Sequence, residues 1–457
     1  MNPVLHTYPN SNNMPVPVKE ITEETSLLGQ GKLSKEEHSR LHYTFLAIGV
    51  ALLWPYNSFI TIAAEMDRLF SSFASLKDAY LPSAMSLYFT ASMSCMIYCQ
   101  SKQRNYSQRI SSGLLYQTGS VIISALLLFG SSLFSKPVLF GLLMACITVC
   151  SWGASLTQNG SLALSNASGS RYNQIMMVGQ AIAGIIPGIY QLLLSFYFPE
   201  NSEGIECYRF SRNSCNLTSA GANFTTSDQT SDKNQRLLLS LSSVMAAATS
   251  IVAFLMYKKA KVSLTEAKEN SISVSEANHI PMKHLYLKLK HIMHTIFFVF
   301  LVTAPFVMFA ANIKPTAIPI SADKYTLVAI NFWNTGDLVG RIIAGRFPFI
   351  TIPTPRGLFA WSILRFLVLA VFFLFAAINS STHSWIFDTL YLFWQFFFGV
   401  TNGAIATSAF MKIGSQLDDS QERKASSVVA CFTLNAGLLA GSLLLPAWLK
   451  LVHLLQR

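Results

Sequence analysis

Long apolar runs separated by short polar ones make up most of this chain. A bilayer core about 30 Å thick takes roughly twenty mainly apolar residues per helix. Runs that meet this rule fall near 42–63, 81–100, 110–134, 137–164, 173–198, 237–257, 291–312, 324–345, 356–378, 384–412 and 425–452. The pattern predicts an all-α polytopic membrane protein of about eleven transmembrane helices, with its termini on opposite sides. Pro55, Pro187 and Pro305 fall inside these runs and are expected as kinks, because neighbouring helices and water satisfy the backbone groups that proline frees. Residues 1–40 are rich in Pro, Asn, Ser and Glu and read as a disordered cytosolic tail. A polar stretch at 258–290 separates six spans from five. The expected organisation is an N-terminal six-helix bundle at 41–257 with an outward loop at 199–236, a cytosolic linker at 258–290, and a C-terminal five-helix bundle at 291–457.

Composition agrees with this picture, since only 12% of the residues are charged where a soluble domain carries about 25%. The net charge of +11 invites a nucleic-acid reading, but excess Lys and Arg in a membrane protein mark its cytosolic loops. With the N-terminus in the cytosol, the inside loops hold Lys102, Arg104, Arg109, Arg171, Lys258, Lys259, Lys261, Arg346, Arg356, Lys412, Arg423 and Lys424. The bilayer is therefore the expected partner, and nucleic acid is not. The alternation of basic and apolar residues from Lys283 to His291 suits either a helix on the membrane surface or a solvated basic loop. Met1 to Arg40 has no apolar core followed by a cleavage site, so no removable signal peptide is expected. No Gly-x-x-x-x-Gly-Lys-Ser/Thr loop is present, which disfavours an ATP-driven pump. His294 begins a span without a carboxylate partner in it, so an embedded transferase is disfavoured too. The chain is expected to be no enzyme and to use no cofactor.

Three features bear on compartment. Asn216-Leu217-Thr218 and Asn223-Phe224-Thr225 are glycosylation acceptors if the loop at 199–236 is luminal. Cys207 and Cys215 share that loop, where a disulfide is permitted. Glu23 precedes Leu27-Leu28 by four residues, resembling an acidic dileucine signal read by sorting adaptors. Together they favour a vacuolar or lysosomal membrane, with the plasma membrane second. Cys95, Cys99, Cys146, Cys150 and Cys431 lie in apolar runs and are expected as small core residues, and no metal site is expected.

The candidate chemistry lies within the spans. Asp337 and Arg341 sit four apart in an otherwise apolar run, so they share a helix face. An ionisable group at that depth costs roughly 2.5 to 3.5 kcal/mol on insertion scales and usually faces a bundle interior or wet cavity. Gly336 and Gly340 would let a neighbouring helix approach closely. The pair suits either a polar site or an ion pair that only ties helices together. In the first half, polar residues concentrate at Trp54-Pro55-Tyr56-Asn57 and at Gln158-Asn159-Gly160-Ser161. Buried amides there must bond to other helices or to a polar ligand, and a ring beside them suits a planar solute.

These residues resemble the equilibrative nucleoside transporters, and a fungal-type, vacuolar or lysosomal member in particular. Trp54-Pro55-Tyr56-Asn57 is similar to the family's first-helix Leu-Pro-Trp-Asn, with Tyr56 in place of Trp. Gln158, with Asn159 as an extra residue before Gly160-Ser161, resembles its Gln-Gly-Ser turn. Gly179-Gln180-Ala181-Ile182-Ala183-Gly184 matches Gly-Gln-x-x-Ala-Gly. Asn334, Asp337, Gly340 and Arg341 match Asn-x-x-Asp-x-x-Gly-Arg residue for residue. Arg365 matches the ninth helix's Arg, though the expected Pro is Ala370, and Thr401-Asn402-Gly403 is similar to the tenth helix's Ser-Asn-Gly. The resemblance implies a major-facilitator-like 6+5 fold that moves nucleosides, and nucleobases as an extension, by alternating access. It implies Asp337 and Arg341 at the ribose hydroxyls and Gln158 at the base. Tyr56 and Ile60 would line the cavity, and Asn57 and Asn334 would serve as supporting hydrogen-bonders. A proton-coupled carrier of sugars or other small polar solutes on the same fold is the alternative. Arg365, Gly184-x-x-x-Gly188 and Gly437-x-x-x-Gly441 are expected to serve packing.

Overall fold

The computed structural model describes residues 34–73, 76, 79–197, 240–260, 279–347, 354–379 and 383–455. Glu23, Leu27, Leu28, Cys207, Cys215, Asn216 and Asn223 lie outside the described residues, as does most of the 258–290 linker. Among the described residues every regular element is helical. The first half contributes α1 (Lys35–Thr61), α2 (Ala63–Phe70), α3 (Tyr80–Ser101), α4 (Tyr106–Phe129), α5 (Lys136–Ser168), α6 (Ser170–Tyr197) and α7 (Ser240–Ala260). The second contributes α8 (Met282–Lys288), α9 (Lys290–Thr303), α10 (Phe306–Asn312), α11 (Ala322–Arg346), α12 (Pro355–Asn379), α13 (Trp385–Ser415), α14 (Ser420–Leu443) and α15 (Leu445–Leu455).

Several boundaries differ from expectation. The tail predicted to end at residue 40 gives way to helix at Lys35, because Ser34 and Glu37 form a capping box, the Ser34 backbone N–H donating to Glu37 Oε2 at 2.7 Å and the Glu37 backbone N–H to the Ser34 hydroxyl at 3.2 Å. The extra turns are held at the His38 imidazole, whose Nδ1 lies 2.7 Å from the Tyr172 hydroxyl. Pro55 and Pro187 sit inside unbroken helices, whereas Pro305 separates α9 from α10. The last run divides near Leu444 into α14 and α15. The end of the linker is structured as well, as the short helix α8.

Eight helices among the described residues are long and apolar enough to cross a membrane. Helices α3, α11 and α13 have the length, at 22, 25 and 31 residues, but carry more polar side chains. In α11 and α13 those are Asn331, Asn334, Asp337, Arg341, Asp388, Gln395 and Asn402, all buried. Meanwhile Leu126, Ile97, Leu367 and Phe393 are each more than half exposed. Polar residues inside and large apolar ones outside invert the pattern of a water-soluble bundle and fit a hydrocarbon solvent.

Within the first half α4 packs on α5, α1 on α6 and α3 on α5; within the second α11 packs on α13, and α9 on α12 and α14. The halves meet where α6 touches α11 and α13, and where α14 touches α3 and α5. Asp388, at the start of α13, clasps the loop ahead of α11. Its carboxylate accepts from the Thr316, Ala317 and Ile318 backbone N–H groups at 2.8 to 3.0 Å and from the Thr316 hydroxyl at 3.0 Å.

Candidate solute site

Helices α11 and α13 are brought together by glycine on both. A β-carbon at Gly336 or Gly340 would strike the Phe396 or Val400 carbonyl oxygen, and one at Gly399 or Gly403 would strike that of Trp333 or Asp337. The backbones therefore touch, as small-xxx-small seams allow. The sequence reading anticipated one side of this seam in Gly336 and Gly340. Its complement, Gly399-x-x-x-Gly403, was not anticipated as a seam, since only Gly403 entered the sequence reading, within the Thr401-Asn402-Gly403 motif.

The close approach places Asn402 of α13 against Asp337 of α11. Asp337 and Arg341 are 3% and 5% exposed, so their charges must be met by protein groups. Arg341 Nε donates to Asp337 Oδ2 at 2.7 Å. Asn402 Nδ2 donates to Asp337 Oδ1 at 2.7 Å. The amide oxygen of Asn402 accepts from the Thr303 hydroxyl at 2.7 Å and from Arg365 Nη1 at 3.3 Å. Arg365 also donates to the Val299 carbonyl at 2.8 Å and stands over the Phe398 ring, 4.7 Å from its centroid. A buried carboxylate thus sits between one guanidinium in direct contact and a second reached through an amide.

Arg341 also reaches across to the first half. Its Nη1 donates to the Met177 carbonyl at 2.8 Å and to Gln180 Oε1 at 3.3 Å, both on α6. Helix α6 is the hub of the sequence-predicted residues. Asn57 of α1 donates to the Ala183 carbonyl at 3.1 Å, and a β-carbon at the next residue, Gly184, would meet Asn334 Oδ1 at 2.6 Å. Asn57, Asn334, Asp337 and Arg341 are thereby gathered around one stretch of α6. Tyr56 instead faces α3, its hydroxyl 3.6 Å from Met85 Sδ and its ring 5.0 Å from that of Tyr88. Ile60 is half-buried one turn further along α1. Gln158 is half-buried on α5, and its side chain has no hydrogen bond to a described residue. Gln180 Nε2, Asn331 Oδ1, Trp333 Nε1 and Gln395 Oε1 are buried without a hydrogen-bond partner, so the region has polar capacity beyond what its own side chains satisfy.

A second polar group joins the halves near the ends of α5 and α13 and the start of α14. Asn159 Nδ2 donates to the Ser427 hydroxyl at 2.9 Å and its amide oxygen accepts from Arg109. Asn166 Nδ2 donates to the Arg423 carbonyl and the Ser426 hydroxyl, both at 3.3 Å. Asn173 Nδ2 donates to Asn166 Oδ1 at 2.7 Å and to the Phe410 carbonyl at 3.2 Å. Sequence reasoning passed over these three asparagines as site residues. An asparagine in an apolar run was a usable signal, but nothing local says that its partner lies in the other half.

Two helical halves that meet over buried charged residues make a fold of the major-facilitator type. Solved structures agree on the fold. A bacterial homologue of the iron transporter ferroportin matches with TM-score 0.56 at 14% identity, covering 92% of this chain and 96% of that one. The E. coli fucose:proton symporter FucP matches with TM-score 0.52 at 12% identity, covering 92% and 97%. The profile of the nucleoside transporter family matches residues 144–449. The Saccharomyces cerevisiae nucleoside transporter FUN26 is 30% identical over 96% of this chain and 90% of its own length, and the human equilibrative nucleoside transporter 4 is 21% identical over 36% and 31%. The chain belongs to the nucleoside transporter family.

Proposed function

We propose that this protein carries nucleosides, and nucleobases as a secondary cargo, across a membrane by alternating access around the α6/α11/α13 seam. The observation that carries the reading is the Asp337–Arg341 pair. It is buried, sits on one half and is bonded to α6 of the other, in a chain of this family. A carboxylate accepts from vicinal hydroxyls and a guanidinium donates to their oxygens, so the pair can exchange its internal bonds for bonds to a ribose. Asn57 and Asn334 support it from either side of α6. Tyr56 and Ile60 wall the cavity, and the free amide of Gln158 meets the base.

The test is uptake of labelled uridine and adenosine into proteoliposomes holding the full chain. Saturable uptake that Asp337→Ala reduces at least a hundredfold is expected. Absence of saturable uptake, or uptake unchanged in Asp337→Ala, overturns the assignment. Repeating the measurement with and without a pH gradient distinguishes passive flux from proton coupling.

The working membrane is proposed to be vacuolar or lysosomal. Glu23, Leu27 and Leu28 act there as the sorting signal, and the loop bearing Asn216, Asn223, Cys207 and Cys215 faces the lumen. Support comes from the sequence alone, and a tagged chain that reaches the cell surface with Leu27 and Leu28 intact overturns it.

A further inference from the structure

The basic segment before α9 plays no part in the solute site, yet it is built into the second half. Leu285 and Leu289 of this segment are buried at 0% and 1% exposure in the main apolar cluster, while Leu287 is 57% exposed. Helix α8 therefore lies against the bundle with apolar contacts on one face. Beside it, α8, α9 and α14 border an open cleft of about 610 Å³ lined almost wholly by hydrocarbon. Its walls include Phe298 of α9 and Phe432 and Ala436 of α14, and its mouth carries Lys283, Tyr286 and His294. The Tyr286 hydroxyl lies 2.7 Å from His294 Nε2.

The mouth is strongly basic. From His279 to Ala322 the chain holds no Asp or Glu. Glu422 is the acid that approaches, and it is taken by Lys288 at 2.6 Å and His284 at 3.2 Å. Lys283 and Lys290 form no ion pair with a described residue. Arg356 opens α12 on the same side, where the Phe359 ring lies 5.6 Å from that of His294. An apolar slot ending in cations that no described residue pairs is complementary to an amphiphile with a negative head.

We propose that this cleft binds one anionic phospholipid of the cytosolic leaflet, with an acyl chain against Phe298, Phe432 and Ala436 and the phosphate at Lys283. The leaflet rests on the orientation set by Lys and Arg in the loops. The site stands apart from Asp337, so it holds or fails independently of which solute is carried.

The test uses the full chain in nanodiscs of equal phosphatidylserine and phosphatidylcholine with identical acyl chains. The protein is then extracted in mild detergent and the retained lipid is quantified by mass spectrometry. Retention of about one phosphatidylserine, enriched severalfold over phosphatidylcholine, is expected. Lys283→Ala is expected to lower the enrichment about fivefold, the effect of one interfacial cation. Ala436→Trp, which fills the slot, is expected to remove the retained lipid of either headgroup. Lys283 is exposed, so its variant keeps the fold and serves where Ala436→Trp fails to assemble. Equal retention of the two lipids by the unaltered protein, or unchanged enrichment in Lys283→Ala, overturns the proposal. Competition by chainless glycerophosphoserine as strong as by the lipid also overturns it, because the cleft would then play no part.

Discussion

The two polar groups at the centre of this protein are built from different chemistry. Around Asp337 the residues are charged, and apart from the reach of Arg341 to α6 they lie within one half, held by backbones in contact along α11 and α13. Between α5, α6, α13 and α14 the residues that meet across the halves are amides, hydroxyls and backbone carbonyls, with Arg109 the one charged partner on the first-half side, and the bonds of Asn159 to Ser427, of Asn166 to Ser426 and of Asn173 to Phe410 cross from one half to the other. The difference follows the energetics. Breaking a buried ion pair costs about 3–5 kcal/mol, whereas a neutral hydrogen bond contributes a net ~1 kcal/mol. Amides suit a contact that must open and close, whereas a buried charged pair gives up its internal bonds only to a ligand that replaces them. Arg341 belongs to both groups, since it is fixed to Asp337 on its own helix and bonded to Met177 across the divide.

The strongest challenge to this contrast is at the seam itself. Gly403→Leu drives a side chain into the Asp337 carbonyl, where the obstacle is backbone and cannot rotate away. Overpacking of this kind costs about 1–3 kcal/mol or more, and the expected result is loss of most folded protein by size-exclusion chromatography. Normal yield would show that the α11/α13 contact is not rigid. Next in size is Asn402→Ala. It strips Asp337 of its second donor and leaves the Thr303 hydroxyl and Arg365 short of an acceptor, at about 1–3 kcal/mol, so nucleoside uptake should fall roughly tenfold or more at equal protein level. Smallest is Asn173→Ala, which removes donors to Asn166 and Phe410. A shift of ~1 kcal/mol changes the balance of access states about fivefold. The expected readout is faster maleimide labelling of a cysteine placed at Gln174, with little change in KM. A loss in Asn173→Ala as large as that in Asn402→Ala would erase the distinction between the two groups.

Asp337 and Arg341 could be found in the sequence because charge inside an apolar run is conspicuous and their spacing places them on one face. Asn402 was visible as a motif residue, but its bond to Asp337 spans 65 positions, and only the glycine contacts bring the two helices close enough. Arg365 was expected to anchor the bundle; it bonds α12 to Val299 and Thr303 of α9, and through the amide of Asn402 it is also the second cation linked to Asp337. Gln158 was expected at the base and Tyr56 in the cavity lining, roles that local spacing could not relate to the pair; the structure gathers Asn57, Asn334, Asp337 and Arg341 about α6 and sets the Tyr56 ring against Tyr88 of α3.

What the sequence determined alone was the solvent and the class. Runs of about twenty apolar residues admit helices in a bilayer and little else, and local spacing set which polar residues share a face. What only the tertiary structure decided was partnership. It placed the second glycine pair against the first, gave Asp337 its amide and its second cation, and set Asn159, Asn166 and Asn173 across the interface. Those contacts depend on how distant helices dock, and no local pattern encodes the distance between them.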